Sequence, residues 1–197
     1  MPALTLHPDR LFPAETTTRD VARRLYETVK DLPIISPHGH VPPQWIADNT
    51  PWTDPTSLLI SPDHYINRLL HAHGVQLSSL GVPPGKVTLS DAEAREAWRT
   101  FCSHWPVFRG TPVRYWMESE LVEIFGVSVR PSAETADAIY DQIAATLAQP
   151  DFRPRQLLDR FDIEFMATTD DPCDDLHFHQ QLAADPTFTR RVATIWS

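Results

Sequence analysis

Glycine is scarce in this chain of 197 residues, which contains six glycines against 19 prolines. Average usage is about 7% glycine and about 5% proline, so the usual order is reversed. The chain has no Gly-x-Gly-x-x-Gly turn, no phosphate-binding P-loop and no Gly-x-Ser-x-Gly elbow. Nucleotide binding and serine-hydrolase chemistry are therefore unsupported, and the prolines indicate many short elements with rigid connections.

Cysteine and long apolar runs are also lacking. The two cysteines, Cys102 and Cys173, are too few for a disulfide framework or a zinc finger. No apolar run approaches the roughly 20 residues of a membrane-spanning helix, and the N-terminus has no signal-peptide core. The formal net charge is −9 with dispersed acidic residues, which argues against a nucleic-acid surface. We therefore expect a soluble, cytoplasmic globular protein.

Three short apolar runs are predicted as strands. The first, Ile34-Ile35, is expected to be buried and to end at His38. The second covers 162–170, and the third starts at Val192. Strands that are joined by long crossovers run parallel. The predicted fold class is therefore α/β, with a parallel sheet in a chain that is mostly helical.

The helical pattern divides the chain into three predicted parts. Residues 1–40 hold an N-terminal helix and the first strand, 41–161 form a helical insertion, and 162–197 hold the second strand and the start of the third. The first helix is predicted over 18–30. Its apolar stripe consists of Val21, Leu25 and Val29. Within the insertion, Ser90-Asp91-Ala92-Glu93 is a capping box that predicts the start of a helix.

A pair of histidines follows the first predicted strand, in the run His38-Gly39-His40. Alternate side chains of an extended chain share one face, so both imidazoles can reach one metal ion. Two neutral imidazoles suit zinc or another first-row divalent ion. Gly39 is expected to leave the backbone uncrowded, so that an ion or ligand approaches closely. An ordinary hydrogen-bonded pair of histidines is the alternative.

Two other His-x-His pairs stand in helical patterns. They are His71 with His73, and His177 with His179. Residues two apart on a helix point to nearly opposite faces and cannot converge on one ion. We therefore expect all four to be solvated or packed helix histidines.

Acidic side chains are the remaining candidates for a site. A metal needs further ligands, and Asp170 and Asp171 at the end of the second predicted strand are conceivable. Their alternative role is to form a turn and cap a helix around Pro172. Glu118 and Glu120 lie two apart on a predicted helix and diverge; we expect Glu118 to be solvated, and Glu120 is open to burial.

A second cluster lies where another helix is predicted to start, in the run Ser61-Pro62-Asp63-His64-Tyr65. The free N–H groups and the dipole of a first turn favour an anion, such as a substrate carboxylate, and favour neutral His64. Tyr65 can donate a hydrogen bond or relay a proton. The alternative is that Asp63 only favours the helix start and Tyr65 packs in the core.

Several motifs of this chain resemble, in the same order, those of the uronate (glucuronate) isomerases, a family of the amidohydrolase superfamily. The resemblance runs from about Leu11 to Val192. The motifs are Pro33-Ile34-Ile35-Ser36-Pro37-His38-Gly39-His40, Asp63-His64-Tyr65, Thr111-Pro112-Val113-Arg114-Tyr115-Trp116, Glu120-Leu121 with Phe125-Gly126, and Ala167-Thr168-Thr169-Asp170-Asp171-Pro172. Together they are specific, whereas His-x-His alone would indicate only the superfamily.

The resemblance implies the N-terminal part of a metal-bearing (β/α)8 barrel and an aldose–ketose isomerisation. D-glucuronate would become D-fructuronate, and D-galacturonate would become D-tagaturonate, as a proton moves between C2 and C1 through a cis-enediol. By resemblance, His38 and His40 bind a divalent metal such as zinc, and His64 and Tyr65 contact the substrate and assist the proton movement. The implied partner is a hexuronate in sugar-acid catabolism, and the full-length protein is expected to be a homo-oligomer.

The chain departs from the family at its end, where 193–197 stand in place of an Arg-Pro-Asp segment. The family's third metal ligand, an aspartate of the eighth strand, has no counterpart. We therefore expect an inactive N-terminal fragment whose open strand edges promote association. Two other interpretations stay open: a metal-dependent hydrolase of the same superfamily, and a non-catalytic remnant.

Overall fold

The structure is a computed structural model that describes residues 3–82 and 88–196. Its helices are α1 (Thr16–Glu27), α2 (Pro43–Asp48), α3 (Pro55–Leu59), α4 (His64–Ala72), α5 (Asp91–Ser103), α6 (Pro112–Ser119), α7 (Ala136–Leu147), α8 (Pro154–Arg160) and α9 (His177–Ala184). Its strands are β1 (Ile34–Ser36), β2 (Ile163–Asp170) and β3 (Arg191–Trp196). Within the described ranges, no helix is both long and apolar enough to cross a membrane.

The chain divides into two compact units. Met1–Arg10 and Trp52–Ala148 form the first, here called the helical unit. Leu11–Pro51 and Gln149–Ser197 form the second, here called the sheet unit. The helical unit is thus largely an insertion into the sequence of the sheet unit.

The sheet unit contains a parallel sheet in the order β1-β2-β3. β2 pairs with β3 along the whole of β3, whereas the register between β1 and β2 shifts between Ile34 and Ile35. Each connection crosses over, with α9 between β2 and β3, as parallel strands require. The predicted α/β class is confirmed, and parallel strands that neighbour one another in sequence order match the start of a (β/α)8 barrel.

The first strand is shorter and more exposed than predicted. β1 ends at Ser36 rather than at His38, and Ile34 and Ile35 are 47% and 55% exposed. The apolar stripe of α1 is also largely exposed, with Leu25 at 65%. The prediction of a buried strand is wrong. A strand is buried when both of its faces are covered and it has a neighbouring strand on each side. In this sheet β1 is an edge strand, which pairs with β2 alone.

A small core joins the sheet to three helices. Its buried members are Ile46, Ala47, Leu158, Met166 and Leu182. Arg155 of α8 ties this core to the end of α2, because its Nε and Nη2 donate to the carbonyl oxygens of Ile46 and Ala47 at 2.8 and 3.0 Å. Its Nη1 pairs with the carboxylate of Asp185. The last carbonyls of a helix lack helical partners, so Arg155 satisfies two groups that would otherwise need water.

Aromatic side chains form the centre of the helical unit. Trp98 and Phe101 of α5 are fully buried, and their ring centroids are 5.5 Å apart. Phe101 also contacts Trp105 at 5.5 Å and Phe108 at 5.4 Å. Such inclined aromatic contacts add to the stability that burial of apolar area provides.

Candidate active site

His38 and His40 follow β1 and turn towards each other. Their Nε2 atoms are 3.1 Å apart, and the rings meet edge to face. Two nitrogens at about 2.0–2.1 Å from one zinc ion would be about 2.9 Å apart at a right angle and about 3.3 Å apart at the tetrahedral angle. The observed spacing lies between these values, so the pair fits a shared divalent ion. A hydrogen bond between the two nitrogens would have the same length. The metal-binding pair and the hydrogen-bonded pair of histidines therefore both stay predictions.

The two aspartates considered as further ligands take other partners. The Asp170 carboxylate accepts a hydrogen bond from the Thr168 hydroxyl at 2.7 Å. Asp171 Oδ1 accepts from the backbone N–H of Cys173 at 2.7 Å, so its alternative role in a turn is confirmed. In the part of the chain that the structure describes, no group of three or more His, Cys, Asp or Glu side chains could hold a metal ion.

Gly39 lies between the two histidines and against β2. A Cβ placed on Gly39 would lie 2.9 Å from the backbone oxygen of Ala167. The carbonyl oxygen of Gly39 accepts hydrogen bonds from both the N–H and the hydroxyl of Thr169, each at 3.0 Å. The sequence predicted that Gly39 leaves room for an ion or a ligand. In the structure, β2 occupies the space beside Gly39 instead, so that prediction is corrected.

Replacing Gly39 by alanine is expected to destabilise the sheet unit by about 1–3 kcal/mol, because the new methyl group meets backbone that cannot turn aside. The histidines should separate, and zinc affinity should fall by at least about tenfold. Urea unfolding and zinc titration of the chain measure both effects. Thr169→Val, which removes one of the two hydrogen bonds to Gly39, is the milder comparison. Unchanged stability and zinc affinity in Gly39→Ala would contradict this prediction.

His64 and Tyr65 open α4 in the helical unit. Asp63 caps the helix, and its Oδ1 accepts from the N–H groups of Tyr65 at 2.7 Å and Ile66 at 3.0 Å. Ser61 does not cap it, because its hydroxyl donates to a backbone carbonyl at 2.8 Å. The helix thus begins later than predicted, and Asp63 itself occupies N–H groups that were expected to attract a substrate anion.

Tyr65 is 45% exposed, so the alternative of a core tyrosine is wrong. Its ring centroid is 4.1 Å from that of His64 and 5.8 Å from that of Trp116. A cleft of about 450 Å³ lies between α4 and α6, lined from one side by Tyr65 and Arg68 and from the other by Pro112 and Trp116. The phenol of Tyr65 therefore stands at the edge of an open cleft, where a ligand can reach it.

Of the two acids near the end of α6, Glu118 differs from the prediction and Glu120 agrees with it. Glu118 was predicted to be solvated, but its side chain is 20% exposed and accepts a hydrogen bond from Arg114 Nε at 2.6 Å. Glu120 begins a π-helical turn, Glu120–Ile124. Burial raises the pKa of Glu120 to about 7, and the negative charge of Asp63 contributes to the same shift.

The other histidines take separate partners, as predicted for helix histidines. His71 Nδ1 lies 3.0 Å from a backbone oxygen, and His177 Nδ1 lies 2.7 Å from the Asp175 carboxylate. His179 Nε2 lies 2.8 Å from Thr168 Oγ1. No two of these rings meet at a common point in the contacts of the described residues.

A cluster of Thr168, Asp170 and His179, with side chains that are largely buried, was not predicted from the sequence. Thr168 is fully buried, and its hydroxyl donates to Asp170 Oδ2, so that it accepts from His179 Nε2. A threonine and an aspartate two apart in a strand share a face, which is the signal that could have indicated the pair. Nothing in the sequence indicates that His179 of the following helix completes it.

A family model for glucuronate isomerase matches residues 13–196. The chain is 60% identical over 192 residues to the uronate isomerase of Cutibacterium acnes, an alignment that covers 98% of this chain and 40% of that protein. It is 53% identical over 189 residues to the uronate isomerase of Corynebacterium efficiens, covering 94% and 39%.

Solved structures agree with these similarities. The crystal structure of glucuronate isomerase from Caulobacter crescentus superposes with a TM-score of 0.93 at 45% identity, over 99% of this chain and 40% of that one. Uronate isomerase from Thermotoga maritima gives a TM-score of 0.81 at 28% identity, over 98% and 39%. The chain thus spans about 40% of the length of these relatives. The match over residues 13–196 shows that the chain belongs to the glucuronate isomerase family.

Proposed function

We propose that this chain supplies part of the active site of a uronate isomerase. The reaction interconverts an aldose hexuronate and its ketose, D-glucuronate with D-fructuronate and D-galacturonate with D-tagaturonate. The family match over residues 13–196 carries the proposal, because it includes both candidate pairs, His38 with His40 and His64 with Tyr65. We also propose that the full-length enzyme is a homo-oligomer. It would act in the cytoplasm, in hexuronate catabolism.

His38 and His40 are the residues proposed to hold a divalent ion, with zinc as the first candidate. Their Nε2 spacing of 3.1 Å suits such a role. A bound divalent ion can polarise a substrate oxygen and stabilise negative charge that develops on it. Within the described residues, no group of three or more ligand side chains includes this pair. We therefore propose that a third ligand comes from the rest of the full-length enzyme.

His64 and Tyr65 are proposed to bind the substrate and to assist the proton transfer. In the net reaction, C2 loses a proton and C1 gains one, while a hydroxyl proton moves from the C2 oxygen to the C1 oxygen. The exposed Tyr65 phenol can donate to and accept from such oxygens. The imidazole of His64, stacked beside it at 4.1 Å, can exchange a proton with the same substrate group.

A fusion protein tests this function. It consists of residues 1–196 followed by the part of the Cutibacterium acnes relative that lies beyond the matching segment. Produced in a host without its own uronate isomerase and incubated with D-glucuronate, the fusion should form D-fructuronate, detected by proton NMR. The 197-residue chain alone should form none, because the remaining ligands and strands are absent from the reaction. A folded fusion without turnover, beside an active intact relative, would reject the proposal.

A further inference from the structure

Arg68 brings a positive charge to the cleft between α4 and α6. Tyr65, Arg68, Leu69 and Ala72 line this cleft from α4, at spacings of three and four residues that place them on one face of the helix. The Cζ atom of the Arg68 guanidinium lies 5.4 Å from the centre of the Tyr65 ring. None of the described residues that line the cleft is acidic. The cleft therefore carries positive charge next to the tyrosine of the proposed site.

The Arg68 guanidinium is unpaired, in contrast to other arginines of the helical unit. Arg99 pairs with Asp137 at 3.0 Å, and Arg114 pairs with Glu118 at 2.6 Å. Arg68 is exposed and, within residues 3–82 and 88–196, its side chain forms no ion pair with a carboxylate. The chain has 26 acidic residues against 17 lysines and arginines, so acids are not scarce. A guanidinium that faces a cleft without one is suited to a carboxylate from outside the chain.

The other walls of the cleft are largely apolar. Pro112 and the half-exposed ring of Trp116 lie across from α4, and Leu69 and Ala72 of α4 add aliphatic surface. A volume of about 450 Å³ is within the range of small-molecule pockets, which combine apolar walls with a few polar groups that orient the ligand. A ligand that fits this cleft has one carboxylate at the end of a small body whose C–H groups can pack on an aromatic ring.

We propose that Arg68 binds the C6 carboxylate of the hexuronate, with the body of the sugar against the ring of Trp116, and is a specificity-determining residue of the enzyme. The inference rests on the proposed function, in which Tyr65 acts on C1 and C2 at the opposite end of the same six-carbon chain. Two N–H groups of the planar guanidinium match the two oxygens of a carboxylate, which fixes the direction of the group as well as its place.

This pairing selects sugar acids over neutral sugars. A neutral aldose presents a hydroxyl at C6, which would leave the guanidinium partly stripped of water and without an opposite charge. Sites that are built around a polar group of the substrate reject analogues that lack this group far more strongly than apolar pockets reject a change in size. D-glucuronate and D-galacturonate share the C6 carboxylate and differ at C4. Arg68 should therefore favour uronates as a class without distinguishing between these two.

Two substrates that differ only at C6 test the inference in the fusion protein: D-glucuronate and its neutral amide, D-glucuronamide. Arg68→Met should lower kcat/KM for D-glucuronate by about 10- to 100-fold, the effect of losing hydrogen bonds to a charged group. Most of this loss should be a rise in KM, because the carboxylate is held equally before and during the reaction. The amide should lose less than about threefold. Arg68→Lys keeps the charge without the planar fork, so its kcat/KM should lie in between.

Arg130→Met is the matched control, because Arg130 is also exposed and belongs to the helical unit but lies outside the cleft. It should leave kcat/KM for both sugars within about threefold of the unmodified fusion. Three results overturn the inference: equal KM values for D-glucuronate in the two variants, equal losses for D-glucuronate and its amide, or lower stability to urea in Arg68→Met without a change in KM. The last result would mean that another part of the longer enzyme fills the cleft. Arg68→Lys provides the same comparisons if Arg68→Met fails to fold.

Titration of the 197-residue chain keeps this inference separate from the isomerase function. D-glucuronate at millimolar concentrations, the range expected for so small a ligand, should shift the NMR signals of the Arg68 Nε–H and of the Trp116 indole N–H. D-glucuronamide should bind at least about tenfold more weakly. Arg68→Met should abolish the Trp116 shift, and Arg130→Met should retain it. Equal affinities for the two ligands, or no shift with D-glucuronate at tens of millimolar, overturn the inference. A fusion without turnover rejects the isomerase function instead, and the titration of the chain then decides on Arg68.

Discussion

Tyr65→Phe is expected to lower kcat of the fusion protein by a factor of about 10² to 10⁴, the range that proton transfer by a positioned side chain contributes. The ring contacts of Tyr65 with His64 and Trp116 involve the aromatic face and edge, and phenylalanine retains them. The hydroxyl is the part that is removed, and it belongs to a side chain that is 45% exposed. The loss should therefore appear in kcat with little change in the free energy of unfolding.

Tyr115→Phe is the matched control for this prediction. Tyr115 is 40% exposed, lies on α6 next to Trp116 and differs from Tyr65 in having no place in the proposed site. Its loss of a hydroxyl should change kcat by less than about twofold, since surface changes of this kind seldom affect energies by more than about 0.5 kcal/mol. Equal kcat values for the two variants would remove Tyr65 from the proton transfer and leave it a substrate contact at most.

Trp98→Ala is expected to destabilise the chain by about 3–5 kcal/mol, the usual cost of a large cavity in a core. Trp98 is fully buried, its ring lies 5.5 Å from that of Phe101 and 6.1 Å from that of Tyr140, and its Nε1 donates to the carbonyl oxygen of Ala136 at 3.1 Å. The substitution removes the apolar contacts and leaves a buried carbonyl without this donor. Urea unfolding followed by circular dichroism measures the effect.

Trp116→Ala is the comparison that separates burial from residue type. Trp116 is 48% exposed at the cleft between α4 and α6, and its removal opens no closed cavity. We expect a loss of about 1 kcal/mol from its contact with Tyr65 and its partly buried area. Equal losses for the two tryptophans would contradict the placement of Trp98 at the centre of the helical unit.

The features that the sequence predicted best depend on neighbouring residues. The capping box is present as expected, with Ser90 Oγ accepting from the N–H of Glu93 and the Glu93 carboxylate accepting from the N–H of Ser90. Its geometry needs four consecutive residues and nothing else. The burial of Ile34 and Ile35 was predicted wrongly. An apolar run shows that a strand is suited to burial, but the side chains that would cover it must come from other parts of the chain.

The candidate site follows the same distinction. The convergence of His38 and His40 could be predicted, because the two residues are close in sequence; the predicted strand geometry was not needed, since the chain bends at 37–38 after β1. The contact of Gly39 with Ala167 and the effect of Asp63 on Glu120 could not, because each joins residues that are far apart in sequence. Periodicity places side chains on faces of their own element, but only the packing of one element on another decides which faces meet.

The exposed edge of β1 has a consequence for folding during synthesis. In a closed barrel the first strand pairs with the last, so β1 is made early and finds one of its two neighbours late. In the Cutibacterium acnes relative the matched segment is 40% of the protein, so roughly 290 residues lie outside it, or on the order of 15–60 s of translation. In such a full-length relative, the positions that correspond to Ile34, Ile35 and the apolar face of α1, which are exposed in this chain, would stay uncovered until the last strand is made. Exposed apolar surface and unpaired strand edges favour association with other chains, so in a full-length barrel of this family the segment at risk is the first strand rather than the last.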